Sequence, residues 1–172
     1  MKILAAIALV CVGIAMSGCA GDVARPVSVQ ALSEQHKMML RVADVSAETK
    51  SGVVMTPMDL DRISERVKAE LAALTPSAIV PANGPADAST ARMKLVFTRY
   101  DRGSAAARAL LIGLGQIRID ADVILIDGGG NTVGQYQVAK QFALGGLVGA
   151  VTTPADVEEG FAKSVAEIFR GK

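Results

Sequence analysis

The chain has no tryptophan, one histidine and two cysteines among its 172 residues. Because aromatic residues make up only 3% of the sequence, the hydrophobic core must consist mainly of aliphatic side chains and alanine. The single histidine, His36, stands in no recognisable motif with a nucleophile or an acid. We therefore interpret His36 as a surface residue.

Neither sign of charge is in excess, since the chain has 18 Lys and Arg and 17 Asp and Glu. A protein that binds nucleic acid needs a basic surface that neutralises phosphates. The balanced composition argues against a nucleic-acid partner.

Recognisable catalytic and cofactor motifs are also missing. Gly113 and Gly115 precede a predicted strand, whereas the glycines of a dinucleotide-binding motif follow one. There is no phosphate-binding loop and no nucleophile elbow. We interpret Asp120 and Asp122 as residues of a solvent-exposed strand face. Asp127 precedes three glycines, a pattern more typical of a turn than of a calcium-binding loop. The sequence predicts a non-enzymatic protein with no cofactor and no metal site.

The N-terminus, in contrast, has the pattern of a signal peptide. Lys2 is followed by an uncharged run over residues 3–16, which is shorter than the roughly 20 residues that span a bilayer. The run ends in Met16-Ser17-Gly18-Cys19, which resembles the bacterial lipobox. This resemblance implies cleavage after Gly18 and acylation of Cys19. The alternatives are an ordinary secretory signal with a chance cysteine, or a retained membrane anchor.

Acylation would place the protein in the cell envelope. By analogy with enteric sorting, Ala20 in place of an aspartate after Cys19 favours the outer membrane, with the domain in the periplasm. The other cysteine, Cys11, lies in the signal segment, so no disulfide is available. The membrane is thus a predicted partner, reached through the N-terminal lipid.

The chain divides into a signal peptide over residues 1–18, an acylated cysteine and tether over 19–36, and one α+β domain over 37–172. Residues 27–29 suggest a short strand within the tether, and residues 78–80 suggest a short edge strand in the loop that follows the first predicted helix. In the domain the predicted order is β-α-β-β-β-α, with strands at 37–45, 91–100, 117–127 and 132–142. We expect a two-layer sandwich, in which two helices cover one face of a small mixed or antiparallel sheet.

Both predicted helices begin with the same pattern, Thr-Pro-x-Asp, at residues 56–59 and 153–156. Threonine is a favoured N-cap, proline suits the first turn, and an acid suits the positive end of the helix dipole. Apolar residues then recur at intervals of three and four and form one stripe on each helix.

Two connectors, residues 105–115 and 143–151, carry a single charge between them, that of Arg108. They flank a predicted hairpin, so both should lie at the same edge of the domain. Such apolar connectors either fold under as additional core or form a surface for an envelope protein, a second copy or lipid. The residues predicted for that partner surface are Arg108, Leu111, Leu114, Leu144, Leu147 and Val148.

The run from Arg99 to Gly115, followed by a strand that ends in Asp127 and a glycine turn, resembles the bacterial lipoproteins that carry domain of unknown function 4410. The resemblance extends over roughly residues 37–169 and implies an envelope lipoprotein with no assigned activity. We therefore predict a non-enzymatic, periplasm-facing interaction or assembly module. The alternative is a carrier lipoprotein that binds a small ligand or a lipid.

Overall fold

The computed structural model of the chain describes residues 26–74, 90–110, 115–142 and 151–170. The strands are β1 (Val27–Gln30), β2 (Arg41–Thr49), β3 (Thr90–Asp101), β4 (Ile117–Asp127) and β5 (Thr132–Phe142). The helices are α1 (Glu34–Met39), α2 (Pro57–Leu74), α3 (Ala105–Leu110) and α4 (Pro154–Ala166), and a 3₁₀ turn, Glu167–Phe169, follows α4.

The five strands form one mixed sheet in the order β1-β5-β4-β3-β2. β2 and β3 run parallel, joined by the crossover that contains α2, and the other three pairs are antiparallel. Helices α2 and α4 pack against each other and against the sheet. The predicted α+β architecture is confirmed.

The core lies between the sheet and these two helices. Alternate residues of β3 and β4 are buried, as their period-two pattern predicts, and the intervening residues face the other side of the sheet. Phe97 of β3 contacts Phe161 of α4, with ring centroids 5.7 Å apart. Other large apolar side chains that are buried completely in the described part of the chain include Ile63, Val67, Leu71, Met93, Leu95, Ile117, Ile119 and Leu125.

Both helices begin where their capping pattern predicts. The Asp59 backbone N–H donates to Thr56 Oγ1 (3.2 Å), and the Thr56 N–H donates to Asp59 Oδ2 (3.1 Å). Thr153 and Asp156 form the same reciprocal pair at the start of α4. Each capping box therefore satisfies two backbone groups that a helix end leaves without partners.

The structure differs from the sequence expectation around residues 34–41. A strand was expected from residue 37, but α1 occupies 34–39 and β2 begins only at Arg41. The Ser33 hydroxyl accepts from the His36 N–H (3.1 Å), and an N-cap of this kind starts a helical turn. The expected short strand at 27–29 is present as β1, while the edge strand expected at 78–80 lies outside the described residues.

Candidate functional site

The beginnings of α2 and α4 meet the end of β3 at a group of ionisable side chains, which we call the ion-pair cluster. The cluster consists of Asp59, Arg62, Tyr100, Arg102 and Glu158. All of these residues except Asp59 line an open cleft of about 250 Å³, together with Thr153, Pro154 and Ala155 at the start of α4.

Arg62 is the centre of this cluster. Its Nε donates to Glu158 Oε2 (2.9 Å) and its Nη2 donates to Glu158 Oε1 (2.7 Å), so α2 and α4 are joined by a bidentate pair. The same Nη2 donates to Asp59 Oδ1 (2.8 Å), one turn back on α2. One guanidinium thus neutralises two carboxylates that lie on different helices.

Glu158 is completely buried, although it is ionisable. Besides Arg62, its carboxylate accepts from the Tyr100 hydroxyl (2.8 Å), and Arg66 Nε lies 3.7 Å from Oε2. Burial raises the pKa of Tyr100, and the hydrogen bond to Glu158 raises it further, so the phenol stays protonated and donates. The cost of burying a carboxylate is offset here by pairing on both oxygens.

Asp59 is also buried and accepts from several donors. Burial alone would raise its pKa, but hydrogen bonds from Thr56, Arg62 and Arg102 outweigh burial and hold the pKa well below its usual 3.8. The carboxylate therefore remains ionised at all moderately acidic pH values. It is a poor proton donor or acceptor for acid–base chemistry near neutrality.

The lowered pKa of Asp59 predicts a dependence of stability on pH. A depressed carboxyl pKa stabilises the folded state above the unfolded value of 3.8, and this stabilisation is lost as the pH falls below that value. We expect Asp59→Asn to lower the free energy of unfolding by about 1–3 kcal/mol near pH 7, since it weakens hydrogen bonds to a charged group.

Urea unfolding of the wild type and Asp59→Asn, from about pH 7 down to about pH 2.5, measures this difference. The difference in the free energy of unfolding between the two proteins should narrow below about pH 4, because the wild type then loses the contribution of its carboxylate. A gap that stays constant over this range would contradict the assignment.

Sequence reasoning did not find the ion-pair cluster. It recognised Asp59 only as the acid of the Thr-Pro-x-Asp pattern at a helix start. The sequence of α4 did contain an indication of the cluster, because Glu158 lies on the apolar stripe of that helix. It stands three residues before Phe161 and seven before Val165. An ionisable residue at a core position requires a buried partner.

The predicted site residues themselves lie mostly outside the described residues. These are Cys19, Leu111, Leu114, Leu144, Leu147 and Val148, and for Arg108 only the backbone, in α3, is described. The structure does place the ends of the two connectors together, because Ile117 at the start of β4 pairs with Phe142 at the end of β5.

The other polar residues that the sequence analysis considered lie apart from the cluster. His36 is exposed on α1. Asp120 pairs with Arg118 on the open face of the sheet (Nε–Oδ2 2.8 Å), and Asp127 accepts from the backbone of its own hairpin turn. Among the described helices, none is both long and apolar enough to cross a bilayer.

Comparison with solved structures finds the same fold in PelC from Paraburkholderia phytofirmans. A PelC variant that forms a dodecamer has a TM-score of 0.56 at 15% identity, with 84% of this chain and 94% of PelC covered. A second PelC dodecamer has a TM-score of 0.54 at 14% identity, with 84% and 96% covered. At these identities the similarity concerns the fold alone.

No curated protein matches the sequence. The family model described as a domain of unknown function, DUF4410, matches residues 25–146, which is most of the chain. This confirms the family resemblance expected from the run that leads into β4. The chain belongs to the DUF4410 family.

Proposed function

We propose that this protein is an envelope lipoprotein, held at the outer membrane by acyl chains on Cys19, whose domain associates with further copies of itself. The domain works as an assembly module and not as an enzyme. The observation that carries this proposal is that the sheet ends in two different strands, whose outer sides are unpaired within the described residues.

The outermost strands of the sheet are β1 and β2. Within the described residues, no strand pairs with the outer side of either one. An open edge exposes backbone donors and acceptors that another chain can pair with, and proteins normally cover or shorten such edges. β2 is nine residues long and contains no proline, so its edge suits a strand from a neighbour.

Because β1 and β2 differ, a contact between β2 of one copy and β1 of the next copy is head-to-tail. Head-to-tail contacts close into rings when the rotation between copies permits. The similarity in fold to PelC, whose solved structures are dodecamers, supports an assembly of this kind.

The ion-pair cluster supports a role without catalysis. Its two buried carboxylates are bound by arginines, and the lowered pKa of Asp59 keeps that group ionised. Three of the seven residues that line its cleft are charged, namely Arg62, Arg102 and Glu158, and such groups do not suit an acyl chain, so the carrier alternative gains no support from it. The cluster instead joins α2, α4 and β3 into one rigid body.

Replacing Cys19 with serine tests the membrane anchor. We expect the wild type to fractionate with membranes and to carry the mass of its acyl chains, whereas Cys19→Ser should become soluble and lack that mass. Two or more acyl chains hold a protein stably, since each buried CH₂ contributes about 0.8 kcal/mol. An unchanged membrane fraction and an unchanged mass for Cys19→Ser would contradict the anchor.

The same preparations test self-association. Light scattering of the wild type in mild detergent should give one discrete multiple of the protomer mass, and in-cell cross-linking should join copies of this chain. Cys19→Ser serves as the matched sample without detergent. A protein that is monomeric at high concentration in both preparations would contradict the assembly role.

A further inference from the structure

The two ends of the sheet differ in the elements that meet there. At one end β2 and β3 finish, β4 starts, β5 finishes, and α2 and α4 begin. We call this the helix-start end. The opposite end holds the β4–β5 turn at residues 128–131, the end of α1 and the beginnings of β2 and β3.

The helix-start end exposes large apolar side chains. Among the described residues, the three most exposed large hydrophobic side chains are Val54 (87%), Met58 (74%) and Val151 (73%). Val54 lies two residues before the capping box of α2, Met58 lies within that box, and Val151 lies two residues before the N-cap of α4. Exposed apolar groups at one end of a domain indicate a surface that contacts another protein or a membrane.

The direction of β1 shows which end of the sheet its first residue lies nearer to. β1 runs antiparallel to β5, with Val27 opposite Gln137 and Gln30 opposite Gln135. The first residue of β1 therefore lies nearer Phe142, at the helix-start end, than its last residue does. Gln137 lies five residues before Phe142, a distance of about 17 Å along a strand.

The length of the N-terminal segment matches that distance. Eight residue steps separate Val27 from Cys19, and they span at most about 26–29 Å when extended. When this segment is extended, an acylated Cys19 can thus reach the plane of the helix-start end with about 10 Å to spare. To reach the opposite end, the chain would have to reverse direction and then cover about 20 Å along the sheet.

We propose that the helix-start end lies against the lipid surface, with Val54, Met58 and Val151 in the interfacial layer of the bilayer. This inference rests on the proposed acylation of Cys19. Lys50, exposed at the same end, has a side chain long enough to keep its charge among the head groups while its aliphatic stem lies closer to the acyl chains. In a cyclic assembly every copy presents the same end to one side, so all copies would contact the bilayer alike.

The absence of tryptophan makes this orientation measurable. Met58→Trp places a single tryptophan at the helix-start end, and Met39→Trp places one at the opposite end, where Met39 is also exposed (58%). Each acylated, full-length variant is inserted into vesicles of phosphatidylethanolamine and phosphatidylglycerol whose acyl chains are brominated. Bromine quenches tryptophan only at close range.

We expect the Met58→Trp emission to shift to the blue and to lose most of its intensity in brominated vesicles relative to unlabelled ones. The Met39→Trp emission should change in neither respect. Val54→Trp should behave as Met58→Trp does. Equal quenching at both ends, or none at Met58→Trp, would overturn the orientation.

Two further measurements separate the possible failures. Flotation with the vesicles and the intact mass report the acyl anchor; a protein that is not acylated refutes the proposed function and this inference together. If the protein floats and Met58→Trp is blue-shifted but not quenched, a second copy and not lipid covers this end. That outcome overturns the inference and leaves the lipoprotein assignment intact.

Discussion

Replacing Arg62 with methionine is expected to lower the free energy of unfolding by about 3–5 kcal/mol, because the change leaves buried carboxylates without their partner. Glu158 loses both hydrogen bonds of its bidentate pair, and Asp59 loses one of its donors. Methionine retains much of the packing of the arginine stem, so the effect reports mainly the uncompensated charge. Urea unfolding near neutral pH measures the loss.

Arg118→Met is the matched control. The Arg118 side chain is 37% exposed, as is that of Arg62, and it also pairs with a carboxylate. Its partner Asp120 is partly open to solvent, and exposed ion pairs contribute only about 0–1 kcal/mol. If Arg62→Met and Arg118→Met lower the free energy of unfolding by the same amount, the ion-pair cluster is an ordinary network of surface ion pairs.

A double variant isolates the pair itself. Arg62→Met combined with Glu158→Leu removes both charges and should recover much of the stability lost in Arg62→Met alone, since apolar replacements of a whole buried pair are often neutral. Strictly additive losses in this cycle would show that the two side chains are not coupled.

Gly103→Ala is the second change with a large expected effect, a loss of about 2–5 kcal/mol from backbone strain combined with steric overlap. Gly103 has φ +61°, a conformation that favours glycine. A Cβ there would overlap the carbonyl oxygens of Gly115 and Gln116 and would lie 2.7 Å from the Gln116 carbonyl carbon. These atoms are backbone, so relief requires the chain itself to move.

The position of Gly103 explains why the strain would spread. The next residue, Ser104, donates its N–H to the Gly115 carbonyl (3.2 Å), which closes the connector between β3 and β4 at its base. Displacement of this contact would disturb the entry into β4, a central strand of the sheet.

Two glycines serve as controls for Gly103→Ala in urea unfolding. Gly52 and Gly130 have φ values of +89° and +86°, and a Cβ on either meets nothing within 4 Å. Alanine at either position should lower the free energy of unfolding by about 1–2 kcal/mol, which is the penalty for a non-glycine residue at positive φ. If Gly103→Ala costs no more than Gly52→Ala, the close approach to Gly115 and Gln116 does not constrain the fold.

Local patterns were enough to predict most of the fold. The capping residues Thr56 and Thr153 mark helix starts because their hydrogen bonds involve groups only three residues apart. The alternation along β3 and β4 predicts their buried faces, because side chains of a strand point to opposite sides in turn. The hairpin follows from the same alternation and a glycine turn.

Other features depended on contacts between distant parts of the chain. Arg62 and Glu158 are separated by 96 residues, so no local pattern brings them together. The direction of β1 likewise depends on its pairing with β5, more than a hundred residues away. Near residues 34–41, local apolar content favoured a strand, but the Ser33 cap and the position of β2 in the sheet decided otherwise.

The sequence by itself determined the signal pattern at Cys19, the helix starts and the faces of the strands, since each depends on neighbouring residues. Only the tertiary structure decided that α2 and α4 share one buried ion-pair cluster and that β1 runs antiparallel to β5, with its first residue nearer the helix-start end. The physical reason is that pairing and burial depend on proximity in space, which hydrophobic collapse and sheet registration impose on residues far apart in the chain.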